Sequence, residues 1–276
     1  MTVTEINGNL QIENLKNLSL SETLDCGQAF RWQEISDNMW QGVAFGRCLK
    51  IGFSEGVFTL YDTTIDEFYS LWENYFDLSR DYGKIITEIS ADKTLKQASA
   101  FAEGIRILNQ EPWEVLCSFI ISQNNNIPRI KGIISRLCEN FGERLDGGFY
   151  TFPTAEKIAS LTLDDLAVLR SGFRAKYILD AAGKVASGQV NLTALRNMDT
   201  LSARRELMKI YGVGEKVADC ALLFGLGHID AFPKDVWIKR AMAKLFDGEL
   251  PECALPFAGI AQQYIFHYAR MTKLEI

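Results

Sequence analysis

The hydrophobic pattern of the chain changes once, near Thr63. Before it, between residues 8 and 62, Gly, Asp and Asn separate short segments rich in aromatic and β-branched residues, such as AFRWQEI, MWQGVAF, CLKIGF and VFTLYD. This pattern is typical of antiparallel strands and hairpins. After it, apolar residues recur three and four positions apart, as in EPWEVLCSFIISQ and RIKGIISRLC. That spacing predicts helices, and it continues to the C-terminal segment AGIAQQYIFHYAR.

Together the two patterns predict an α+β protein. We expect an N-terminal antiparallel β-rich domain over residues 1–93 and an all-helical domain over residues 94–276. The boundary is placed at DKTLKQ, because this is the first polar stretch before the long helices.

The composition is that of an ordinary globular protein, with 47% hydrophobic and 23% charged residues. The formal net charge of −6 argues against a protein that grips DNA through a broad basic face. It does not exclude DNA binding, because backbone amides at helix N-termini can hold phosphates without side-chain charge.

Targeting and metal-binding signals are lacking in the sequence. The start, MTVTEINGNLQIENLK, lacks the layout of a signal peptide, and the apolar stretches are shorter than a membrane span. We therefore expect a cytoplasmic, nucleoid-associated protein. Its six cysteines are scattered without a CxxC pair, which favours reduced thiols over disulfides or a zinc site. Neither a metal nor a cofactor is expected.

A glycine turn between two apolar-patterned segments is the first candidate for function. It lies in LMKIYGVGEKVADCALLFGL, where Gly212 and Gly214 separate a helix ending near Tyr211 from a second helix. The pattern predicts a helix-hairpin-helix, in which the glycines allow close approach of another chain and the free amides of the second helix bind a phosphate. A plain turn between two packed helices has the same pattern and is the commoner explanation for it in isolation.

Lys216 and Asp235 are the candidate catalytic pair. Lys216 falls in the first turn of the second helix, where the positive end of the helix dipole disfavours an ammonium ion and favours the neutral amine that a nucleophile needs. A solvated lysine is the ordinary alternative. Asp235 follows Phe232-Pro233-Lys234, and in isolation it would be interpreted as a helix N-cap.

The combination of these features closely resembles the helix-hairpin-helix DNA glycosylase superfamily. Residues 201–246 contain the order of that motif, namely hairpin, lysine, short helix, proline and aspartate. The iron–sulfur branch has four closely spaced C-terminal cysteines, whereas only Cys253 follows Cys220 here. The alkylation-repair branch lacks the lysine. The resemblance therefore implies the lyase-competent 8-oxoguanine branch, with Lys216 as nucleophile and Asp235 as its carboxylate partner.

The same resemblance extends over residues 18–270 and implies a pocket for the damaged base. Gly27 in CGQAFRW matches the glycine whose carbonyl accepts a hydrogen bond from N7–H of 8-oxoguanine, a donor that guanine lacks. Gln262 and Phe266, four apart on one helical face, match a glutamine that bonds the flipped base and an aromatic ring that stacks on it. Cys220 would cover the other face of the base. A turn glycine and a core aromatic stripe are the alternatives.

Four further residues are implied to contact DNA. In SQNNNIPRI, Asn124 matches an asparagine that fills the gap left by the flipped base, and Arg129 matches an arginine that contacts the orphaned cytosine. In SGFRAKY, Phe173 matches an aromatic wedge and Arg174 a second cytosine-binding arginine. An N-capping asparagine at a polar helix junction would also explain the first segment.

Three positions depart from the pattern of the family. Trp237 replaces a histidine that often contacts a phosphate, and Lys234 stands where eukaryotic enzymes have an apolar residue, so phosphate contacts at this edge are in doubt. Phe173 replaces the tyrosine of eukaryotic relatives, which indicates a bacterial or archaeal member.

The sequence thus predicts a DNA repair enzyme that flips 8-oxoguanine out of double-stranded DNA, removes it by Schiff-base chemistry and cuts the strand by β-elimination. We expect it to act as a monomer. Two alternatives stay open at this point: an alkyl-purine DNA glycosylase, and a helix-hairpin-helix module that binds DNA without catalysis.

Overall fold

The computed structural model describes residues 1–272 and confirms the predicted α+β fold. An N-terminal antiparallel sheet is followed by a helical domain. The strands are β1 Thr2–Ile6, β2 Asn9–Glu13, β3 Trp32–Ser36, β4 Met39–Ala44, β5 Arg47–Ser54 and β6 Val57–Leu60.

The sheet has the order β1-β2-β6-β5-β4-β3, with every neighbouring pair antiparallel. Tight turns such as Asn7-Gly8 and Glu55-Gly56 connect its hairpins, with positive φ at both residues, as the right-handed twist of the flanking strands requires. The pattern analysis did not anticipate β1. Four of its five residues are exposed, since it pairs with β2 alone, and an edge strand of this kind has no apolar alternation to detect.

Apart from α1, which lies between β2 and β3 in the segment predicted to form strands, the helices follow the sheet, as the change of pattern predicted. They are α1 Leu20–Leu24, α2 Ile65–Glu67, α3 Glu73–Tyr75, α4 Tyr82–Ile89, α5 Lys93–Phe101, α6 Pro112–Ser122, α7 Ile127–Phe141, α8 Ala155–Ala159, α9 Arg174–Ala186, α10 Leu192–Leu195, α11 Thr200–Leu207, α12 Glu215–Gly225, α13 Val236–Leu245 and α14 Ala258–Met271. A π-helical turn at Phe68–Trp72 joins α2 to α3, and 3₁₀ turns lie at Asp146–Gly148, Asp165–Leu169 and Glu252–Phe257.

Two helices form the centre of the helical domain. In α6 every residue from Val115 to Ile121 is buried, and in α12 every residue from Val217 to Gly225 is buried. Helices that are apolar on all sides belong in the middle of a core. The ring of Phe119 from α6 stacks on that of Phe224 from α12, with centroids 5.4 Å apart. The N-terminus of α12, which begins at Glu215, is therefore held on a rigid base.

The protein has two hydrophobic cores, one among the helices and one beneath the sheet, and residues such as Phe68 and Phe76, which follow the sheet, belong to the core beneath it. Phe30, just before β3, belongs to the helical core, whereas Leu108 belongs to the core beneath the sheet. Residues Tyr82, Ile85 and Ile89 of α4 also belong to the helical core. The division into 1–93 and 94–276 stays a prediction.

A buried glutamine joins the two domains. The side chain of Gln28 donates to the carbonyls of Thr23 and Arg106, at 2.8 Å each, and accepts from Leu108 N–H at 2.9 Å. The backbone carbonyl of Gln28 accepts from Gln110 Nε2 at 2.8 Å, and the backbone N–H of Gln110 donates to the carbonyl of Phe224 at 2.9 Å. A continuous path of hydrogen bonds thus runs from the loop before β3 to the end of α12.

Arg106 fixes the same segment from the other side. Its buried guanidinium donates to the backbone carbonyls of Lys16 at 2.7 Å, Asn17 at 2.9 Å and Asp77 at 2.6 Å. Because a buried guanidinium needs acceptors for its donors, these contacts tie two separate stretches of chain, at residues 16–17 and at Asp77, to the segment of Arg106.

The helix-hairpin-helix is present, but its first helix is shorter than the sequence indicated. α11 ends at Leu207, four residues before Tyr211. The apolar periodicity continues past this end because Ile210 and Val213 are buried within the turn itself. The second helix, α12, begins directly after Gly214, as predicted.

Gln28→Ala should lower the free energy of unfolding by about 2 to 4 kcal/mol, since it leaves Leu108 N–H and the carbonyl of Arg106 without the partner that Gln28 supplies in the interior. Urea-induced unfolding measures this loss. Gln33→Ala, an exposed glutamine on β3, should change stability by less than about 0.5 kcal/mol. Equal unfolding midpoints for the two variants would show that the Gln28 bonds do not hold the domains together.

Candidate active site

An open cavity of about 1090 Å³ lies where the sheet domain meets the helices. Its walls come from the loop before β3, the C-terminal turn of α6, the loop to α7, the start of α12, the segment leading into α13, and α14. Residues on all six segments line it: Cys26, Gly27, Phe119, Ser122, Asn124, Lys216, Cys220, Pro233, Asp235, Trp237, Gln262, Gln263, Phe266 and Arg270 are among them.

Lys216 is the second residue of α12 and is partly buried. Its Nζ lies 5.0 Å from the centroid of the Phe119 ring and contacts Ser122 Oγ at 3.5 Å. A cation–π contact and one long hydrogen bond hold an amine only loosely. Among the described residues Lys216 has no ion pair at 4 Å or less, so its amine is available to a ligand in the cavity.

Asp235 is the N-cap of α13, and its Oδ1 accepts from Ile238 N–H at 2.7 Å. The N-cap interpretation is therefore correct, and it is compatible with a second role because the cap holds the carboxylate at the wall of the cavity. The capping hydrogen bond fixes the position of the carboxylate relative to α13.

Cys220 lies one turn after Lys216 and is buried. Burial raises the pKa of its thiol to about 11; nearby Lys216 lowers it, while Asp219 and Asp235 raise it. Because the thiol stays protonated at neutral pH, Cys220 forms a neutral wall of the cavity. Lys216 and Asp235 line the same cavity as Cys220.

Gly27 occupies the wall contributed by the sheet domain, with φ at +92°. A side chain there would be strained by this left-handed backbone, although the nearest atom, Ile127 Cδ1, would lie 3.9 Å from its Cβ. Gln28, the next residue, is the buried link between the domains. The backbone of Gly27 is therefore held at a fixed place relative to α12.

Near the C-terminal end of the chain, α14 contributes Gln262 and Phe266 to the cavity, as the four-residue spacing predicted. Gln262 is buried, and its Nε2 donates to the carbonyl of Pro233 at 3.3 Å. Its Oε1 accepts from Gln263 Nε2 at 2.7 Å. Phe266 is only partly buried, so its ring has surface left for a further contact.

The hairpin before α12 is packed against α9. A Cβ at Gly212, where φ is +81°, would overlap the ring of Tyr177. Tyr211 N–H donates to Asp180 Oδ2 at 2.6 Å, and Lys184 Nζ pairs with the same carboxylate at 2.8 Å. These contacts fix the conformation of the turn.

Gly214, in contrast, faces open space. A Cβ there would meet no atom within 4 Å, and no side chain caps the N-terminus of α12. The first amides of this helix are left for an outside acceptor, and with the helix dipole they form an anion site. This geometry fits the predicted roles of the two glycines, with Gly212 needed for the turn and Gly214 for close approach.

Arg174 is buried at the start of α9, with its donors already in use. It donates to the carbonyls of Gln123 and Asn124, each at 2.9 Å, and to that of Ser171 at 3.1 Å. Burial, and then the nearby cation of Arg129, lower the pKa of Arg174. In the free protein Arg174 therefore holds the loop between α6 and α7.

The loop itself presents two of the predicted DNA contacts. Asn124 is exposed and adopts a left-handed backbone with φ at 48°, and Arg129 is exposed in the first turn of α7. The N-cap of α7 is Asn126 rather than Asn124, which leaves the side chain of Asn124 without a capping role. Phe173 is 46% exposed and packs edge-on against Tyr177.

Most of the predicted site residues thus lie in one place. The cavity is lined by Gly27, Asn124, Phe173, Gly214, Lys216, Cys220, Asp235, Gln262 and Phe266. Gly212, Arg129 and Arg174 lie outside its wall. Trp237 and Lys234, the two departures, also line it, and Trp237 is 47% exposed.

The sequence analysis missed the contacts that surround the amine of Lys216 and the amide of Gln262. These come from Phe119, Ser122 and Gln263. Gln263 could have been suspected from its position beside Gln262, whereas nothing local marks Phe119 or Ser122. Within residues 1–272, no three side chains of His, Cys, Asp or Glu are grouped as metal ligands would be. Nor does any helix in that range combine the length and apolarity needed to cross a bilayer.

Such a site, at the junction of a sheet domain and a helix-hairpin-helix, defines a base-excision DNA repair protein. Residues 11–116 match the family model of the 8-oxoguanine DNA glycosylase N-terminal domain, and residues 117–249 match that of the HhH-GPD superfamily base excision DNA repair proteins. The chain belongs to the 8-oxoguanine DNA glycosylase family.

Relatives from three organisms agree with this assignment. An N-glycosylase/DNA lyase of Saccharomyces cerevisiae is 34% identical over 82% of this chain and 68% of its own length. A probable N-glycosylase/DNA lyase of Methanothermobacter thermautotrophicus is 31% identical over 73% and 75%. The Clostridium acetobutylicum 8-oxoguanine glycosylase/lyase, solved with DNA containing cytosine opposite 8-oxoguanine, superimposes with a TM-score of 0.93 at 37% identity, over 99% of both chains.

The two hairpin glycines provide a matched pair of variants. Gly214→Ala should lower stability by less than about 1 kcal/mol, since alanine is a poorer N-cap than glycine. It should weaken binding to duplex DNA by about tenfold or more, because the methyl group holds a phosphate away from the amides. Gly212→Ala should lower stability by about 1 to 3 kcal/mol, through backbone strain and overlap with Tyr177. Melting curves and fluorescence anisotropy separate the effects. Unchanged affinity in Gly214→Ala would exclude the α12 amides as a phosphate site.

Proposed function

We propose that this protein excises 8-oxoguanine from double-stranded DNA and then cuts the strand at the resulting site. The observation that supports this most is that Lys216 and Asp235 line one cavity together with Gly27, Cys220 and Phe266. A module that only binds DNA needs neither an available amine nor a cavity beside it. The cavity is large enough for a nucleoside that has been flipped from the duplex.

Recognition comes first in the proposed reaction. The carbonyl of Gly27 accepts a hydrogen bond from N7–H of 8-oxoguanine, while guanine presents an acceptor at N7 and is repelled. The neutral thiol of Cys220 and the ring of Phe266 cover the two faces of the base, and Gln262 bonds its Watson–Crick edge. A rigid site of this kind favours 8-oxoguanine over guanine through a single donor, the N7–H of the damaged base.

Chemistry follows at the sugar. The amine of Lys216 forms a bond to C1′ as the bond from C1′ to the base breaks, and the base leaves with a proton. Asp235 stabilises the positive charge that develops on the sugar. Loss of a proton from nitrogen and opening of the sugar ring give a Schiff base. Removal of a C2′ proton then expels the 3′ phosphate by β-elimination.

Contacts to the rest of the duplex complete the proposal. The α12 amides hold a phosphate, Asn124 fills the gap left by the flipped base, and Phe173 wedges beside it. Arg129 and Arg174 contact the orphaned cytosine. Since every one of these groups comes from one chain, we propose that a monomer acts on nucleoid DNA in the cytoplasm.

Borohydride trapping tests the nucleophile. The wild-type protein should incise duplexes that contain 8-oxoguanine, most readily opposite cytosine among the four bases, and borohydride should cross-link it to them. Lys216→Gln should abolish the cross-link while lesion binding falls by less than about threefold, because the amine acts only in chemistry. Lys234→Gln, which alters another lysine of the cavity, should still be trapped. A cross-link of undiminished yield in Lys216→Gln rejects Lys216 as nucleophile.

Asp235→Asn tests the carboxylate without removing the helix cap, since asparagine caps as well as aspartate. The variant should melt within a few degrees of the wild type, yet release the base at least about a hundredfold more slowly, because the lost charge acts on the transition state. Single-turnover kinetics and anisotropy give rate and affinity. Losses of similar size in binding and in rate would contradict this role.

A further inference from the structure

Gln263 is a buried glutamine beside the base-binding residue Gln262. It is 5% exposed and lines the cavity. Its Nε2 donates to Gln262 Oε1 at 2.7 Å, whereas its own Oε1 is buried with no hydrogen-bond partner in the described part of the chain. A buried carbonyl without a partner destabilises a protein. An apolar side chain of the same length would avoid that cost, so the donor of Gln263 is the useful part of this amide.

The donor acts on the orientation of the Gln262 amide. The two ends of an amide are nearly alike in shape, so a glutamine can turn over at little steric cost. Here Pro233 offers a carbonyl, which requires Gln262 Nε2 on its side, and Gln263 offers an N–H, which requires Gln262 Oε1. Both bonds select the same orientation of the Gln262 amide. With both bonds made, Nε2 keeps one hydrogen and Oε1 keeps one lone pair for a base.

Orientation matters because the Watson–Crick edges of purines differ in pattern. An edge of guanine type has an acceptor at position 6 and donors at N1 and N2, whereas an adenine-type edge has a donor at position 6 and an acceptor at N1. An amide that can turn over pairs with either edge, but an amide held in one orientation suits one of them.

We propose that Gln263 is a positioning residue, which fixes the amide of Gln262 and thereby makes the cavity select 8-oxopurines with a guanine-type edge over those with an adenine-type edge. This inference rests on the proposed function, in which Gln262 bonds the flipped base. Gln263 acts through Gln262 and does not itself contact the substrate.

Single-turnover excision of two lesions tests the proposal. The substrates are duplexes with 8-oxoguanine or 8-oxoadenine, both opposite cytosine, so that contacts to the opposite base are constant. The wild type should excise 8-oxoguanine faster. Gln263→Met should lower the ratio of the two rates by roughly three- to tenfold, the effect of one hydrogen bond. It should melt close to the wild type, because it removes the unpartnered carbonyl of Gln263 but also takes one donor from Gln262 Oε1. Gln263→Glu, which can only accept, should lower the ratio further by turning Gln262 over.

A double-mutant cycle separates positioning from packing. Gln262→Met should lower the ratio by itself, and adding Gln263→Met should change it no further, since the second residue acts only through the first. Gln33→Met, on the exposed face of β3, should leave the ratio as in the wild type.

Three outcomes would overturn the inference. Gln263→Met could slow both lesions equally, the two methionine effects on the ratio could multiply, or the wild type could excise both lesions at one rate. All of these leave the proposed function intact. A wild-type protein that excises neither lesion would reject the proposed function itself, and the inference with it.

Discussion

The hydrogen bonds of Gln28 are the constraint on which the site depends. Two separate hydrophobic cores could shift against each other, and the cavity would change shape with them. Gln28 prevents this by linking its own loop to residues 106–110, which are in turn bonded to the end of α12 at Phe224. The cavity wall at Gly27 and the amine of Lys216 therefore belong to one rigid unit, as the proposed recognition and chemistry require.

The N-terminus of α12 serves two purposes at neighbouring residues. Gly214 leaves the first amides of the helix open at the wall of the cavity, whereas Lys216 extends toward Phe119 and Ser122. Since the helix is buried from Val217 onward, Gly214 and Lys216 are held in place by the same core. In the proposed function, a phosphate held by these amides lies at a fixed distance from the sugar at Lys216, so that binding of the DNA backbone positions the lesion.

Much of the fold followed from periodicity, and most of the candidate site from one motif and its family resemblance. The alternating strands, the helices of 3.6-residue period and the order hairpin, lysine, proline, aspartate are local patterns. The true end of α11 was hidden because Ile210 and Val213 are buried outside any helix. The surroundings of Lys216 and Arg174 were hidden for another reason: their partners lie 94 and 51 residues away in sequence, at Ser122 and Gln123. Periodicity does not record contacts of that kind.

Most donors of the Arg174 guanidinium are already bonded to carbonyls of its own chain before any DNA binds. In its proposed role, a base across from the lesion must replace those carbonyls. Such an exchange adds little to affinity, since the bonds broken offset the bonds formed. It makes selection strict, however, because a base that presents a donor forms no hydrogen bond with Arg174 in place of the carbonyl bonds that it breaks. In this role, the carbonyls of Gln123, Asn124 and Ser171 compete with the opposite base for the donors of Arg174. A base is accepted only if its hydrogen bonds to Arg174 replace those of the loop.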